Sequence, residues 1–486
     1  MPAVTLKAPR LFREACYVGG QWITADNGAT IDVDNPATGD IIGRVPSLSQ
    51  ADIQQAIDSA QAGFNEWRQM TAQERADLML RWLDLMQEHK EDIATLMTLE
   101  QGKPLAESRG EVDYAGAFIR WFAEEARRNY GETIPAAKRG QHIVVTRNPV
   151  GVTVAITPWN FPAAMITRKA GAALAAGCSM IIKPAEATPF TALALAQLAE
   201  EAGIPAGVLN VVTGDAPMIG ETLTASPVVR KLSFTGSTAV GRKLMAQCAQ
   251  NIQKVSLELG GNAPFIVFDD ADVDKAVEGA IASKFRNTGQ TCVCANRFLV
   301  QRGIHDAFVE ALSKAMSELV VGDGFDEKAN QSCLINKAAV EKVQTHYKDA
   351  LDKGARHVWG ESPNDAKGNY VQPVLITDVS HDSTVCKEET FGPLAAVIPF
   401  DTEEEAIALA NDTPYGLASY FYARDIHRIW RVADALETGI VSINEGAFSN
   451  PAAPFGGVKA SGLGREGSRH GMEEYTELKY LCMGGE

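Results

Sequence analysis

The sequence is short of positive charge. Its 45 lysines and arginines face 61 aspartates and glutamates, for a net charge of −16. That balance argues against nucleic acid or an anionic membrane as the main partner. It also sets a condition on any anionic ligand, because a few local cations must overcome an unfavourable overall field. No apolar run is long enough to span a bilayer. The first residues lack the apolar stretch of a secretory signal. The eight cysteines, from Cys16 to Cys482, show neither zinc-ligand spacing nor a disulfide framework. No metal site is therefore expected. Most of these cysteines read as small buried hydrophobes of a reducing, cytoplasmic compartment. The close pair Cys292 and Cys294 stands apart. Internal repeats and low-complexity segments are also lacking.

What is present is ordinary globular material, 45% hydrophobic and 22% charged over 486 residues. At roughly 150 residues per domain this suggests about three domains. Residues 17 to 45 read as short strands with turns. Residues 49 to 130 alternate charge with Leu, Met, Ile and Trp at helical spacing. The segment 142 to 147 reads as a strand standing apart. From Gly151 the texture changes to strand–helix alternation: strands at 151–157, 179–184, 208–214 and 231–237, helices at 163–176 and 189–202. Near-continuous apolar strands alternating with helices imply a parallel sheet covered on both faces. A second α/β region runs from about Gly261 to Gly464, and 474–482 reads as a last strand that could pair with 142–147 or with another subunit.

Parallel sheets bind ligands outside the carboxyl ends of their strands. Three informative loops sit there: Pro158-Trp159-Asn160, Lys183-Pro184-Ala185-Glu186, and Gly236-Ser237-Thr238-Ala239-Val240-Gly241. The last opens a helix, whose N–H groups suit a pyrophosphate, but its spacing also fits a plain turn. Lys183 and Glu186 suit ribose hydroxyls, or a solvated surface pair. Glu258, beside Gly260 and Gly261, is a base candidate if desolvated. Cys292 follows a glycine turn, Asn287-Thr288-Gly289-Gln290-Thr291, and is either a reactive thiol or a buried packing residue.

Together the motifs resemble the aldehyde dehydrogenase superfamily over nearly the whole chain. They are PWNFP at 158–162, KPAEATP at 183–189, FTGSTAVG at 234–241, LELGGNAP at 257–264, GQTC at 289–292, EETFGP at 388–393 and PFGGVKASGLGREG at 454–467. The resemblance implies two parallel-sheet α/β domains, a Rossmann-like cofactor domain (1–130 and 150–260) and a catalytic domain (261–467). A small β arm (131–149 and 468–486) would build a homodimer or homotetramer. It implies Cys292 as nucleophile, Asn160 and the Cys292 N–H as oxyanion donors, and Glu258 as the base that activates water. The cofactor, NAD in preference to NADP, would lie along Thr157, Pro158, Trp159, Gly214, Phe234, Thr235, Gly236, Ser237, Gly241 and Leu259. Lys183 and Glu186 would hold the adenine-side ribose, and Glu389 and Phe391 the nicotinamide ribose.

Within the superfamily the stretches 160–169, 284–297 and 444–450 are most similar to succinate-semialdehyde dehydrogenases. That similarity implies a small aldehyde with a distal carboxylate as substrate, the one-carbon-longer glutarate semialdehyde being the alternative. It makes Arg168, Arg286 and Ser449 the clamp for that carboxylate, a role guanidinium groups suit. It also makes Cys294 a redox partner of Cys292. One departure from the family pattern is Ser332-Cys333-Leu334-Ile335, in a loop expected to lie outside the catalytic set.

Overall fold

The structure, a computed structural model, describes residues 5–484. Its first sheet has eight strands in the order Gly462–Leu463, Lys254–Glu258, Val229–Thr235, Val152–Ile156, Ser179–Lys183, Leu209–Val211, Cys16–Val18, Gln21–Ile23. The five strands from Lys254–Glu258 to Leu209–Val211 run parallel, and antiparallel strands close both edges. The central strands are buried apart from Ile156 and Arg230, which is why they lack alternation. The chain passes from Val152–Ile156 outward to Leu209–Val211, then returns to build Val229–Thr235 on the other side. A crevice opens where the strand order reverses, outside the carboxyl ends of Val152–Ile156 and Val229–Thr235. The register sets Ile156 beside both Lys183 and Phe234, and Thr235 beside Glu258. Three motifs far apart in sequence therefore end on one rim.

Helix Ala164–Ala176 covers one face of this sheet and is buried along its whole length. Its small residues allow that, since a Cβ on Gly171 would already touch the Phe122 ring at 3.1 Å. The helices Gln50–Trp67 and Ala72–Glu88 begin at reciprocal caps, Ser49 with Asp52 and Thr71 with Glu74. Trp67 and Trp82 are fully buried and donate to the carbonyls of Leu174 (2.9 Å) and Leu195 (3.0 Å), locking these helices over the core. Helix Ala216–Ala225, capped by Asp215 with Pro217 in its first turn, links Leu209–Val211 to Val229–Thr235.

The second sheet has seven strands in the order Arg356–Trp359, Val374–Thr377, Leu394–Phe400, Ala295–Gln301, Ala263–Val267, Ala418–Tyr422, Ile440–Ile443, all parallel except the first. Thr476–Met483 pairs antiparallel with His142–Pro149, which also pairs with Glu132–Ile134. The outer strand is exposed from Glu477 onward. Among the described residues no helix is long and apolar enough to cross a membrane, and no cluster of metal-ligating side chains occurs.

Candidate active site

A cavity of about 370 Å³ lies between the two large sheets. It brings together residues from six separate stretches: Pro158, Trp159, Asn160 and Arg168; Thr235, Gly236 and Ser237; Glu258 and Leu259; Arg286 and Cys292; Glu389 and Phe391; Ser449. Seven residues singled out from the sequence do not line it: Thr157, Lys183, Glu186, Gly214, Phe234, Gly241 and Cys294. Lys183 and Glu186 form an ion pair just past the adjacent parallel strand. Gly241 serves helix packing, because a Cβ there would sit 2.4 Å from Leu259 Cδ2. Gly214 turns with φ of 147° against the backbone of Leu48.

Cys292 follows a turn in which Asn287, Thr288 and Gly289 all have positive φ (50°, 54° and 79°). Only glycine fits the third position, where a Cβ would meet the Gly392 carbonyl oxygen at 2.4 Å. Gly261 is fixed likewise, its hypothetical Cβ lying 2.6 Å from the Cys292 carbonyl oxygen. These contacts tie the nucleophile loop to the loops after Glu258 and Glu389. Burial pushes the Cys292 thiol up to about 12, against the pull of Arg168.

Asn160 is buried and doubly anchored. Its Nδ2 donates to the Gln290 carbonyl at 2.9 Å, and its own carbonyl accepts from Lys103 Nζ (2.6 Å) and Asn287 Nδ2 (3.0 Å). One Nδ2 hydrogen is thus spent on holding the loop and the other is free for a ligand oxygen.

Glu258 ends a parallel strand and is 2% exposed, with no hydrogen-bond partner among the described residues for either carboxylate oxygen. Burial, and then the charge of Glu466, raises its pKa well above the ordinary carboxylate range, while Arg168, Lys169 and Arg465 pull the other way. A carboxylate so placed can accept a proton near neutrality. Glu466 is the opposite case. Burial works against its charge, but Lys169 and Arg168 outweigh that and hold its pKa below the usual value.

The two arginines differ. Arg168 is buried, and its Nε lies 2.7 Å from Glu466 Oε2. The pair is off line for a hydrogen bond, so it is an ion pair and not a bidentate fork. Arg286 is half-buried over the rings of Phe161 (4.7 Å) and Tyr114 (5.8 Å), and its Nη1 reaches Ser449 Oγ at 3.4 Å. Among the described residues Arg286 forms no ion pair.

The residues present fit a dinucleotide. Ser237 caps helix Thr238–Cys248, whose N-terminus opens on the cavity beside Gly236. Glu389 accepts from the Gly261 N–H at 3.1 Å, and burial raises its pKa to about 7. Trp159 and Phe391 meet edge to face at 5.5 Å, and Phe391 holds φ of 58°, a strain tolerated where a site requires it.

Cys294 is buried and turned to Lys284, with Sγ 3.7 Å from Nζ and 3.6 Å from the Lys284 carbonyl. Sequence reasoning missed Tyr114, Lys342 and Phe455, which line the cavity, and the Lys169–Glu466 pair behind it. It also set the loop at 332–335 outside the site, whereas Ile335 and Asn336 line the cavity. The departure from the family pattern there had marked the loop, but nothing local showed which way it faced.

The sequence model of the aldehyde dehydrogenase family matches residues 22–481. The chain is 59% identical over 479 residues to the NADP(+) succinate-semialdehyde dehydrogenase of Escherichia coli (strain K12), covering 99% of each chain. It is equally 59% identical over 480 residues to a glutarate-semialdehyde dehydrogenase of Pseudomonas aeruginosa, again over 99% of each. A 3-sulfolactaldehyde dehydrogenase of Pseudomonas putida is 55% identical over 480 residues and 99% of each chain. A crystal structure described as an E. coli NADP dependent enzyme superposes with a TM-score of 0.98 at 59% identity, over 99% of this chain and 100% of that one.

Proposed function

This chain belongs to the aldehyde dehydrogenase family, and we propose that it oxidises succinate semialdehyde to succinate with a nicotinamide dinucleotide. The observation that carries the substrate is Arg286, a cation without an ion-pair partner among the described residues, sharing a cavity with Cys292 and Glu258. In an acidic protein such a group is placed for an anion. Ser449 beside it offers a hydroxyl to the same carboxylate.

The Cys292 sulfur attacks the aldehyde carbon as its proton passes to the Glu258 carboxylate, which returns it to solvent before the second step. Negative charge develops on the carbonyl oxygen, where the free Asn160 Nδ2 hydrogen and the Cys292 N–H hold it. Gly236, Ser237, Leu259, Glu389 and Phe391 would hold the dinucleotide, which when bound supplies the acceptor for the hydride leaving that carbon. Glu258 then takes a proton from the water that attacks the Cys292 thioester, and the same donors hold the second oxyanion. Collapse expels the Cys292 thiolate and releases the acid.

Lys183 and Glu186 are assigned to the adenine-side ribose. A carboxylate there accepts from a 2′-hydroxyl and repels a 2′-phosphate, so NAD is preferred to NADP. The E. coli relative is named for NADP(+), which makes this ratio the first to measure. A homodimer or homotetramer is supported by the exposed Leu478, Tyr480 and Met483 on the outer arm strand. The eight free cysteines suit a reducing cytoplasm. Glutarate semialdehyde is the second reading, on the equal identity of the P. aeruginosa relative.

The test is kcat/KM for ω-carboxy aldehydes of increasing length and for butyraldehyde, with each cofactor, followed by absorbance of the reduced cofactor. A maximum at the four-carbon acid supports the proposal, a maximum at five selects the second reading, and equal rates with butyraldehyde overturn both. A clear NADP preference removes the role given to Glu186.

A further inference from the structure

Lys103 lies in the short loop between helices Lys90–Gln101 and Leu105–Glu125, and its side chain is 0% exposed. A buried ammonium is costly unless it is paired and its protons are used. Here each contact is specific. Nζ lies 2.6 Å from Glu111 Oε2 and 2.6 Å from the Asn160 carbonyl oxygen, and sits 4.3 Å over the Phe161 ring. Glu111 uses its other oxygen to accept from the Ala163 and Ala164 N–H groups (2.8 and 3.1 Å). Those groups open helix Ala164–Ala176, which carries Arg168. One buried ion pair therefore fixes both ends of the Asn160–Ala163 turn.

Helix Leu105–Glu125, which carries Glu111, also grips the nucleophile loop. Glu107 accepts from the Asn287 N–H at 2.8 Å, and the Asn287 side chain donates to the Asn160 carbonyl that Lys103 holds. Asn160 Nδ2 closes the circuit on Gln290, two residues before Cys292. Charge-assisted bonds at both ends fix direction more strictly than apolar packing does. An oxyanion donor needs that, because its worth depends on where it points when charge develops.

We propose that Lys103 is a positioning residue for the oxyanion site. It holds the Asn160 carbonyl, and through Glu111 the following helix, so that the Asn160 amide and Cys292 face one point. The inference rests on the dehydrogenase reading above, with Asn160 as oxyanion donor.

A double-mutant cycle tests it. Single-turnover formation of reduced cofactor is measured for the parent, Lys103→Met, Asn160→Ala and the double variant, with melting temperature and cofactor fluorescence quenching followed alongside. Lys103→Met is expected to slow this step roughly a hundredfold, the scale set by a misplacement of about 1 Å. In the Asn160→Ala background the same change should cost less than about threefold, because the group it positions is gone. An equal loss in both backgrounds overturns the assignment and leaves Lys103 a structural residue. If Lys103→Met does not fold, Glu111→Gln goes through the same cycle with the same criterion. A parent that reduces no cofactor with any aldehyde overturns the dehydrogenase reading itself, a result distinct from additivity.

Discussion

Replacing Arg286 by alanine removes the cation assigned to the distal carboxylate without breaking an ion pair, since the guanidinium has none among the described residues. The loss falls on the substrate. A hydrogen bond to a charged group contributes about 1.5–3 kcal/mol, so kcat/KM for succinate semialdehyde should fall roughly ten- to a hundredfold. Butyraldehyde, of the same length without the carboxylate, should lose little. Stability should fall by about 2 kcal/mol at most, the scale of a cation held over a partly desolvated aromatic face. Arg168 is the internal control. It is buried against Glu466, and removing one partner of a buried pair costs about 3–5 kcal/mol. Arg168→Met should therefore lower the melting temperature by several degrees and harm both aldehydes. The assay is kcat/KM on the two aldehydes for both variants, with a thermal melt of each. If Arg286→Ala harms butyraldehyde as much as the carboxy aldehyde, Arg286 is not the anchor. If Arg168→Met is selective and Arg286→Ala is not, the two roles are exchanged.

Glu258→Gln should keep a slower single-turnover burst of reduced cofactor while steady-state turnover drops roughly a hundredfold or more, and a full steady-state rate would remove Glu258 from the base role. Glu466→Gln deletes a negative charge that raises the Glu258 pKa. The base form of Glu258 then persists to lower pH, and the acid limb of the kcat profile should move down in pH; a limb that stays or moves up refutes the coupling. Cys294→Ala should abolish the dithiothreitol-reversible part of peroxide inactivation, leaving slower irreversible oxidation of Cys292. Unchanged reversibility would show that no bond between Cys292 and Cys294 is involved.

What could be read from the sequence was local in origin. Apolar runs such as 152–156 and 179–183 mark buried parallel strands, and a polar or glycine-rich loop at a strand end marks a binding rim whatever the partners are. Asn160, Glu258 and Cys292 were found that way, with the family motifs supplying their roles, and the structure puts all three around one cavity. Long-range pairing was not legible. Glu466 meets Lys169 across 297 residues, and Glu107 meets the Asn287 N–H across 180. In the sequence Lys103, Glu107 and Glu111 look like one side of an amphipathic helical region, since charge in a helix ordinarily marks the solvated face. The same limit applied to Arg168. Its presence near the substrate end could be expected from the motif, but a counter-ion on the last glycine-rich loop could not.

The two buried charge clusters and the half-buried Arg286 divide the work by whether a charge is held in a direct ion pair. Lys103 with Glu111 anchors the Asn160 side of the cavity, and Lys169 and Arg168 with Glu466 lie behind Glu258. In both clusters the cations are tied to a buried carboxylate, Lys103 to Glu111, and Lys169 and Arg168 to the single Glu466, so they are held in place and not free to reach a substrate. What the clusters do is aim dipoles and set proton affinity, as in the raised pKa of Glu258 beside Glu466. Arg286 is different because it makes no direct ion pair among the described residues, although the buried Glu107 feels its charge. In a protein of net charge −16, a cation without a direct ion pair in the cavity lining is a strong local feature, and its field falls off within about 8–10 Å at ordinary salt. An anion therefore gains from it only when seated, with its aldehyde end already near Cys292. Selectivity follows from the position of a cation without a direct ion pair, and reactivity from the paired ones. Moving the charge, for instance by placing a carboxylate beside Arg286 at Ser449 (Ser449→Asp), should erase the preference for carboxy aldehydes while leaving the Cys292 chemistry on butyraldehyde in place. Loss of both activities together would show that selectivity and reactivity are not separable in this cavity.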